Sequence, residues 1–289
     1  MKTHTGRILI DNTRGLKFTE SPRWRGGKLW FLDIHDSRIK TADLGRKVET
    51  AVELGFIPNA FGFRRDGSIL VGDALQRKIY HWDGKALHLV ADLADIAVFC
   101  LSDGIVDAQD RMYVGDIGYN FFDPKAKPVD TCVIACVEPD GRARVVATGL
   151  SFPNGIVITP DGKTLIVGET LGHRLTAFDI QADGSLSHRR IYAQLPGDVN
   201  PDGIALDADG AVWLANTEGK CGALRVREGG EIVESVELDT HGYAVMLGGP
   251  ERRHLFISGS GAHDPAEIAR TPSATLSVIE VDVAGAGLP

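Results

Sequence analysis

The feature that most constrains the fold of this chain is an internal repeat that recurs six times. Each copy reads as a turn, an apolar strand that closes on a small or acidic residue, a short loop and a second strand. The strand-closing residues are Asp33, Asp73, Asp116, Glu169, Asn216 and Gly259. The steps between them are 40, 43, 53, 47 and 43 residues. Repeats of this length with several short strands each are typical of β-propeller blades.

Local composition favours strands over helices and one domain over two. Short runs rich in Val, Ile, Leu and aromatic residues alternate with Asp-Gly turns, as in TPDGKTLIVGET (159–170). Because six copies account for all 289 residues, we predict an all-β, six-bladed β-propeller that spans residues 1–289 as a single domain. Either the C-terminal SVIEVDV (277–283) or the N-terminal GRILI (6–10) is expected to pair and close the ring.

Charge and segment composition argue against several classes of partner. The net charge is −8 and no basic stripe is present, which argues against nucleic acid and anionic membranes. The start of the chain lacks the apolar core of a secretory signal, and no apolar run reaches membrane-spanning length. The cysteines lack zinc-finger spacing and are interpreted as reduced thiols. We therefore expect a cytoplasmic protein that acts on a small molecule, with its oligomeric state open.

A second set of positions lies 13 to 15 residues before the strand-closing residues, where the innermost strand of each blade begins. In antiparallel blades these starts share one face of the ring, beside the central channel. The set is Glu20, Asn59, Ser102, Asn154 and Asp202, and the sixth blade offers either His241 or Tyr243, which lie 18 and 16 residues before Gly259. Each residue alone fits a turn position that favours Asn, Asp or Ser. Turn chemistry explains neither Glu20 nor convergence on one axis, so the set predicts a site for Ca²⁺, Mg²⁺ or Mn²⁺, although zinc and iron also accept such ligands.

Four segments contain most of these positions, in order and at propeller spacing. They are TESPRW (19–24), LSDGIVDAQDRMYVGD (101–116), SFPNGIVITPDGKTLIVGET (151–170) and NPDGIALDADGAVWLAN (200–216). Together they resemble the regucalcin, gluconolactonase and luciferin-regenerating-enzyme family. The resemblance implies a six-bladed propeller with one divalent metal in its channel and, in many members, lactone hydrolysis. It also implies that Glu20, Asn154 and Asp202 are the metal ligands, and that Asp202 is the general base.

The chain departs from that family at two positions. Ser102 stands where the family commonly has Asn, and Cys100 stands where sugar-lactone members tend to have Arg. A thiol cannot supply the forked donors of a guanidinium. Ser102, Cys100 and Asn59 are predicted to contact the substrate, and we expect that substrate to be less polar than a sugar lactone.

The longest step between repeats places its extra residues in DIGYNFFDPKAKPVDT (116–131), which leaves its blade on the site face. We expect Tyr119, Phe121 and Phe122 to form a partial lid with an apolar wall, in which Tyr119 and Phe121 contact the substrate. The alternative is an edge loop whose aromatic residues pack on the neighbouring blade. His241 is a further candidate for a substrate contact, from the sixth blade.

The predicted chemistry is metal-dependent hydrolysis of a lactone. The metal, with Ca²⁺ ahead of Zn²⁺, Mn²⁺, Mg²⁺ and Fe²⁺, would polarise the carbonyl and activate a water whose proton Asp202 accepts. The sequence leaves open whether Asp202 is a base or only a ligand. The same site would also suit a cyclisation, isomerisation or carbon–carbon cleavage of a small organic molecule. A non-catalytic calcium-binding propeller is the third alternative, because propellers host many functions.

Overall fold

Six β-sheets account for most of this computed structural model, which describes residues 1–123, 125–219 and 221–287. The sheets have four strands each, except the fifth, which has five. They are arranged as the blades of a six-bladed β-propeller. The predicted all-β class and the six-bladed architecture are therefore confirmed.

The chain begins with two strands that belong to the last two blades, and it then builds the first three blades in order. The N-terminal strands are β1 (Lys2–Thr5) and β2 (Arg7–Asp11). The first blade is β3 (Thr19–Arg25), β4 (Lys28–Asp33), β5 (Arg38–Ala42) and β6 (Val48–Glu53). The second is β7 (Pro58–Phe63), β8 (Ile69–Asp73), β9 (Lys78–Trp82) and β10 (Leu87–Asp92). The third is β11 (Leu101–Val106), β12 (Met112–Asp116), β13 (Cys132–Val137) and β14 (Ala143–Leu150).

The remaining blades follow the same plan, and helices are short. The fourth blade is β15 (Pro153–Ile158), β16 (Thr164–Glu169), β17 (Arg174–Ile180) and β18 (Leu186–Gln194). The fifth is β19 (Pro201–Leu206), β20 (Val212–Asn216), β21 (Cys221–Val226) and β22 (Ile232–Glu237). The sixth is β23 (His241–Gly248), β24 (His254–Ser260) and β25 (Thr275–Glu280). The helical segments are the 3-10 turns Asn12–Arg14 and Ile34–Asp36 and the helix α1 (Pro265–Arg270).

Both N-terminal strands contribute to ring closure. Strand β2 pairs antiparallel with β25 and becomes the outer strand of the sixth blade. Strand β1 runs parallel to β22 at the outer edge of the fifth blade. The two segments predicted as alternative closing strands therefore pair with each other. This pairing joins the start of the chain to its last blade and covers a strand edge.

Six of the hydrophobic clusters among the described residues each fill the space between two consecutive blades. Trp213 is fully buried between the fifth and sixth blades, and Phe31 packs with Phe256 where the sixth blade meets the first. Inner strands have a neighbouring blade on both faces, so β11 and β19 are buried at every residue. Strands buried on both faces are apolar without strict alternation, which explains the continuous apolar runs in the repeat.

The polar residues that close the second strand of each blade share a structural role. Strands β4, β8, β12, β16 and β20 end at Asp33, Asp73, Asp116, Glu169 and Asn216, as the repeat predicts. Four of these side chains accept a backbone N–H from the segment just before the inner strand of their own blade. The pairs are Asp33 with Phe18 (2.9 Å), Asp116 with Val98 (3.2 Å), Glu169 with Ser151 (2.8 Å) and Asn216 with Asn200 (2.9 Å). These bonds fix the loops that lead into the predicted site.

The sixth copy of the repeat differs from the sequence expectation by one residue. Strand β24 ends at Ser260 and not at Gly259. His241, the first residue of β23, pairs with Ser260, just as Thr19, the first residue of β3, pairs with Asp33 at the end of β4. Neither Gly259 nor Ser260 has an acidic or amide side chain, so the sequence does not show which of the two closes the strand.

All four cysteines are free thiols, and Cys132 and Cys136 are both buried on β13. Within the described ranges, no helix has the length and apolar character needed to cross a membrane.

Candidate active site and metal centre

Every inner strand carries a β-bulge close to its start, and the predicted site residues lie at these bulges. The second residues of the first five inner strands are Glu20, Asn59, Ser102, Asn154 and Asp202. Strand pairing shifts directly after the strand start in all six blades. A bulge bends the strand and changes the direction of a side chain, and bulges are common beside active sites. The repeat therefore places five oxygen-bearing side chains at equivalent positions.

The sixth blade has glycine at the equivalent position. Gly242 pairs with Gly259, as Asn59 pairs with Gly72 in the second blade. A Cβ at Gly242 would collide with the carbonyl oxygen of Gly222. No side chain fits there, so the sixth blade contributes to the channel only from positions beside the bulge.

Glycines that follow Asn154 and Asp202 allow neighbouring inner strands to approach closely. A Cβ on Gly155 would lie 2.5 Å from the carbonyl oxygen of Asp202. A Cβ on Gly203 would lie 2.6 Å from the Cβ of Ala244. The Asn-Gly and Asp-Gly pairs, which alone look like turn signals, here serve strand contact and bring Asn154 next to Asp202.

Glu20 and Asp202 form a pair of buried carboxyl groups, with exposed fractions of 8% and 7%. Burial raises the pKa of Glu20 well above its ordinary value, and the charges of Asp202 and Asp103 raise it further. Burial and the charge of Asp103 also raise the pKa of Asp202, against a hydrogen bond from Asn154. Two close carboxyl groups that resist ionisation are stabilised in their charged form by a bound cation.

Thr170 determines which way the amide of Asn154 faces. Its hydroxyl donates to the carbonyl oxygen of Pro201 at 2.8 Å, and a hydroxyl has a single hydrogen to donate. The hydroxyl oxygen therefore accepts from the amide nitrogen Nδ2 of Asn154, at 3.3 Å. Since Nδ2 is held by Thr170, the amide oxygen Oδ1 is left to bind another group.

Asp103 is a third buried carboxylate near this pair, but its charge is already compensated. Its Oδ1 accepts from Ser21 Oγ at 2.9 Å, from Arg23 Nη2 at 3.0 Å and from the backbone N–H of Gly104 at 2.8 Å. Arg23 also donates to the carbonyl oxygens of Phe61 and Gly104, and so links the first three blades. Asp103 therefore has a structural role in the channel, whereas neither Glu20 nor Asp202 forms an ion pair within the described residues.

The donor set of Glu20, Asn154 and Asp202 fits a hard divalent cation. Two carboxylates and one amide oxygen are ligands of the type that Ca²⁺ and Mg²⁺ prefer. In the part of the chain that the structure describes, no three His, Cys, Asp or Glu side chains form a group suited to a metal. A site here would therefore need the amide oxygen of Asn154 as its third protein ligand. Glu20 is already oriented, because its Oε2 accepts the N–H of Ser21 at 2.7 Å.

Two predicted substrate contacts lie among backbone groups of the second and third blades. Asn59 donates from Nδ2 to the carbonyl oxygen of Leu101 at 3.2 Å and accepts at Oδ1 from the N–H of Ala60 at 3.0 Å. These bonds join neighbouring inner strands and fix the amide. Ser102 is almost wholly buried at its bulge. Both side chains remain predicted substrate contacts.

Cys100 lies in apolar surroundings beside the site. It forms a buried cluster with Ala74 and Ile117, against which Tyr119 and Phe152 pack. Burial, assisted by the charge of Asp116, raises the pKa of the Cys100 thiol to about 12. The thiol is therefore neutral, and this side of the site is apolar where a guanidinium would make it cationic.

Of the two alternatives in the sixth blade, Tyr243 lies close to the carboxylates. Burial first, and then the charges of Asp202 and Glu20, raise the pKa of its phenol. Phe18 packs edge-on against Tyr243, with ring centroids 4.8 Å apart. His241 is half-buried, and its Nδ1 has no hydrogen-bond partner among the described residues. The contribution of His241 to substrate binding stays a prediction.

Sequence reasoning did not single out Thr170 as a site residue. Thr170 follows the strand-closing Glu169 by one residue, and the four-residue segment VGET gives no indication of its partner. Its importance comes from the close approach of the fourth and fifth blades, where it contacts both Asn154 and the residue before Asp202.

Comparison with known proteins agrees with this fold. A family model described as SMP-30/Gluconolactonase/LRE-like region matches residues 18–261. The chain is 28% identical to 6-deoxy-6-sulfogluconolactonase of Pseudomonas putida, over 91% of this chain and 87% of that protein. It is 24% identical to pentonolactonase XacC of Haloferax volcanii, over 93% and 92% of the two chains. The calcium-binding protein regucalcin from Agrobacterium tumefaciens superposes with a TM-score of 0.80 at 21% identity, over 100% and 97% of the two chains.

Proposed function

Since the chain belongs to the SMP-30/gluconolactonase/LRE-like family, we propose that it hydrolyses small-molecule lactones with the help of one divalent cation. The observation that carries the proposal is the convergence of two buried, uncompensated carboxylates with an oriented amide, Glu20, Asp202 and Asn154. Two relatives that align over most of their length are named lactonases, which supports the reaction class. The likeness to a calcium-binding regucalcin supports a cation in the channel and makes Ca²⁺ the first candidate.

The cation would be held by Glu20, Asp202 and the Oδ1 of Asn154. When bound there, it supplies Lewis-acid polarisation of a carbonyl group. Its positive charge also compensates the two carboxylates, whose burial and mutual proximity otherwise favour their neutral forms.

The chain's own residues would carry the proton transfers of hydrolysis. Water adds to the carbonyl carbon of the lactone, the ring carbon–oxygen bond breaks, and a hydroxy acid is released. Asp202 is proposed to accept the proton of the attacking water and to return it to the ring oxygen as that bond breaks. Ser102, Asn59 and His241 are proposed to orient the lactone by hydrogen bonds.

Hydrolysis assays on metal-stripped and reloaded protein test the proposal. The panel contains glucono-δ-lactone, δ-valerolactone and δ-decalactone, each assayed with no metal and with added Ca²⁺, Zn²⁺, Mn²⁺, Mg²⁺ or Fe²⁺. We expect hydrolysis of at least one lactone, lost on stripping and restored by one or more cations. Hydrolysis that persists undiminished in stripped protein would contradict the metal dependence, and the absence of hydrolysis with every cation would contradict the lactonase assignment.

A second candidate function uses the same residues for another reaction of a small organic molecule, such as a cyclisation, isomerisation or carbon–carbon cleavage. The apolar surroundings of Cys100 favour it over sugar-lactone hydrolysis, because polyhydroxylated substrates need polar partners. Cation binding without any lactone turnover in the panel would support this candidate or a non-catalytic calcium-binding propeller.

A further inference from the structure

Four phenylalanines from three separate segments form one aromatic cluster, defined here as Phe99, Phe121, Phe122 and Phe152. The rings of Phe121 and Phe122 are 4.1 Å apart between centroids, and Phe99 lies 5.9 Å from Phe121. Phe152 lies 6.4 Å from Phe121 on the other side. The distances from Phe121 to Phe99 and to Phe152 lie in the range of favourable aromatic pairs. The cluster is thus a continuous surface that joins the third blade to the fourth.

The aromatic cluster stands on the same face as the candidate site. Phe99 precedes Ser102 by three residues, and Phe152 precedes Asn154 by two. Phe121 and Phe122 follow Asp116, which pairs with Leu101 at the start of the third inner strand. The segment after β12 brings Phe121 to 6.4 Å from Phe152, which lies just before the fourth inner strand.

This cluster leaves much of its apolar surface in solvent. Phe121 and Phe122 have exposed fractions of 37% and 50%. Val98, which directly precedes Phe99, is also exposed. Contiguous exposed apolar surface on a folded protein commonly marks a ligand or interaction site.

The backbone at Phe152 has a strained conformation. Phe152 has φ of 57°, in the left-handed region that bulky residues rarely adopt. Its carbonyl oxygen accepts the N–H of Thr170 at 3.0 Å, and Thr170 also orients Asn154. Strain of this kind is concentrated at functional sites. The cluster and the candidate metal ligands are therefore coupled through one residue.

We propose that the aromatic cluster is the apolar wall of the substrate site, and that the preferred substrates are lactones bearing an alkyl or aryl substituent. This inference rests on the proposed function, because it assigns a substrate class to the same site. The carbonyl end of the lactone lies at the oxygen ligands, and its substituent packs on Phe121 and Phe122. Tyr119 and the neutral Cys100 extend the apolar surface inward. A polyhydroxylated ring would leave its hydroxyl groups without partners against this wall.

A homologous series of lactones tests the wall. The substrates are δ-valerolactone, δ-hexalactone, δ-octalactone and δ-decalactone, with glucono-δ-lactone for comparison, on metal-loaded protein. We expect kcat/KM to rise about twofold per added methylene, roughly half the effect of full burial because the wall is partly exposed. The double variant Phe121→Ala, Phe122→Ala is expected to raise KM for δ-decalactone about tenfold while leaving δ-valerolactone nearly unchanged.

Controls separate this wall from a merely structural cluster. Phe121→Leu, Phe122→Leu keeps the apolar surface and should retain the chain-length dependence. Ile191→Ala removes an exposed apolar side chain from β18, away from the site. This variant should leave kcat/KM unchanged for every lactone in the series. Hydrolysis that is independent of chain length, or an alanine variant that loses thermal stability with unchanged KM, would overturn the wall and leave the proposed function standing. Failure to hydrolyse any lactone would instead overturn the proposed function.

Discussion

Asn154 and Thr170 decide which atoms of the candidate site face the channel. An amide can present either its nitrogen or its oxygen, and only the oxygen can bind a cation. The Thr170 hydroxyl donates its one hydrogen to Pro201, so Asn154 must turn its nitrogen toward Thr170. A single hydroxyl thus selects the ligand atom.

Replacing Thr170 with Val removes this selection and leaves the side-chain shape nearly unchanged. We expect Thr170→Val to weaken Ca²⁺ binding about tenfold, equivalent to about 1.4 kcal/mol for one lost oriented ligand. Thr170→Ser keeps the hydroxyl and should bind like the natural protein. Isothermal titration of stripped protein with Ca²⁺ measures both, and equal affinities for the Val and Ser variants would contradict the role.

Asp202 is predicted to act both as a ligand and as a base, and one substitution separates the two. Asp202→Asn keeps an oxygen that can bind a cation but cannot accept a proton at neutral pH. We expect its kcat to fall about 100-fold or more while stoichiometric metal remains bound at saturating cation. Metal analysis beside the turnover assay shows which role dominates. Lost metal would assign only the ligand role, and unimpaired turnover would contradict the base role.

The sequence predicts five of the six bulge positions because their side chains carry oxygen atoms at regular spacing. That spacing alone is enough to group Glu20, Asn154 and Asp202 on one face of the ring. Gly242 gives no such signal. The structure requires that this position has no side chain, and a glycine cannot be recognised by the oxygen-bearing pattern of the other five positions. Thr170 depends on a contact between two blades, which spacing along the chain does not reveal.

Among the structural elements, the second strands of the blades hold the site loops through their closing side chains. Glu169 is the most heavily bonded, since it accepts from Arg174, Arg189, Thr176 and the N–H of Ser151. Ser151 begins the segment that contains Asn154. The strand-closing residues by which the repeat is recognised thus hold the site loops in place, and they are not site residues themselves.

Glu169 also gives a pH dependence of known sign. Burial acts to raise its pKa, but bonds from Arg174, Thr176 and Ser151 outweigh burial and lower the pKa below the ordinary value of 4.5. A lowered pKa means that the carboxylate stabilises the fold above its unfolded pKa and loses this contribution as pH falls through the folded pKa. Asp130 lies near Arg174 and is the other carboxylate facing this ion pair.

We therefore expect Glu169→Gln to lower the free energy of unfolding by about 2 kcal/mol at neutral pH. The difference from the natural protein should shrink as the pH falls below about 4. Urea unfolding from neutral pH to about pH 3 measures it. Glu251→Gln, in the exposed turn between β23 and β24, is the matched control and should show no difference at any pH. A constant gap for Glu169→Gln across this range would contradict the assignment.

The position of the aromatic segment can be predicted from sequence, whereas its partners cannot. The long step after Asp116 places Tyr119, Phe121 and Phe122 on the site face. Phe99 and Phe152 carry no such signal, because they precede inner strands of two different blades and are connected only through Phe121. The pairing of strand β1 with β22 also could not be predicted from the repeat, because it joins residues more than 200 positions apart.

Across the whole molecule, the ring depends on strand β2. Ile10 of β2 is buried between the sixth and first blades, with an exposed fraction of 2%, and Ile8 of the same strand is 43% exposed. The two residues differ in burial but share the same sheet. They offer a matched test of how far ring closure supports the fold.

Ile10→Ala is expected to lower the free energy of unfolding by about 3 kcal/mol, through lost burial and a cavity. Ile8→Ala should lower it by less than about 1 kcal/mol. Thermal or urea unfolding followed by circular dichroism measures both, and we expect a single transition to move as a whole. Equal losses for the two variants would contradict the importance of closure at β2.

The central claim for the molecule is that lactone hydrolysis depends on a divalent cation held by Glu20, Asn154 and Asp202. The most direct test measures cation affinity and lactone hydrolysis on the same stripped samples. We predict that activity returns with the cation concentration that half-saturates binding, that Glu20→Ala loses both, and that the control Glu251→Ala keeps both. Full hydrolysis by stripped protein, or by Glu20→Ala without bound cation, would contradict the account.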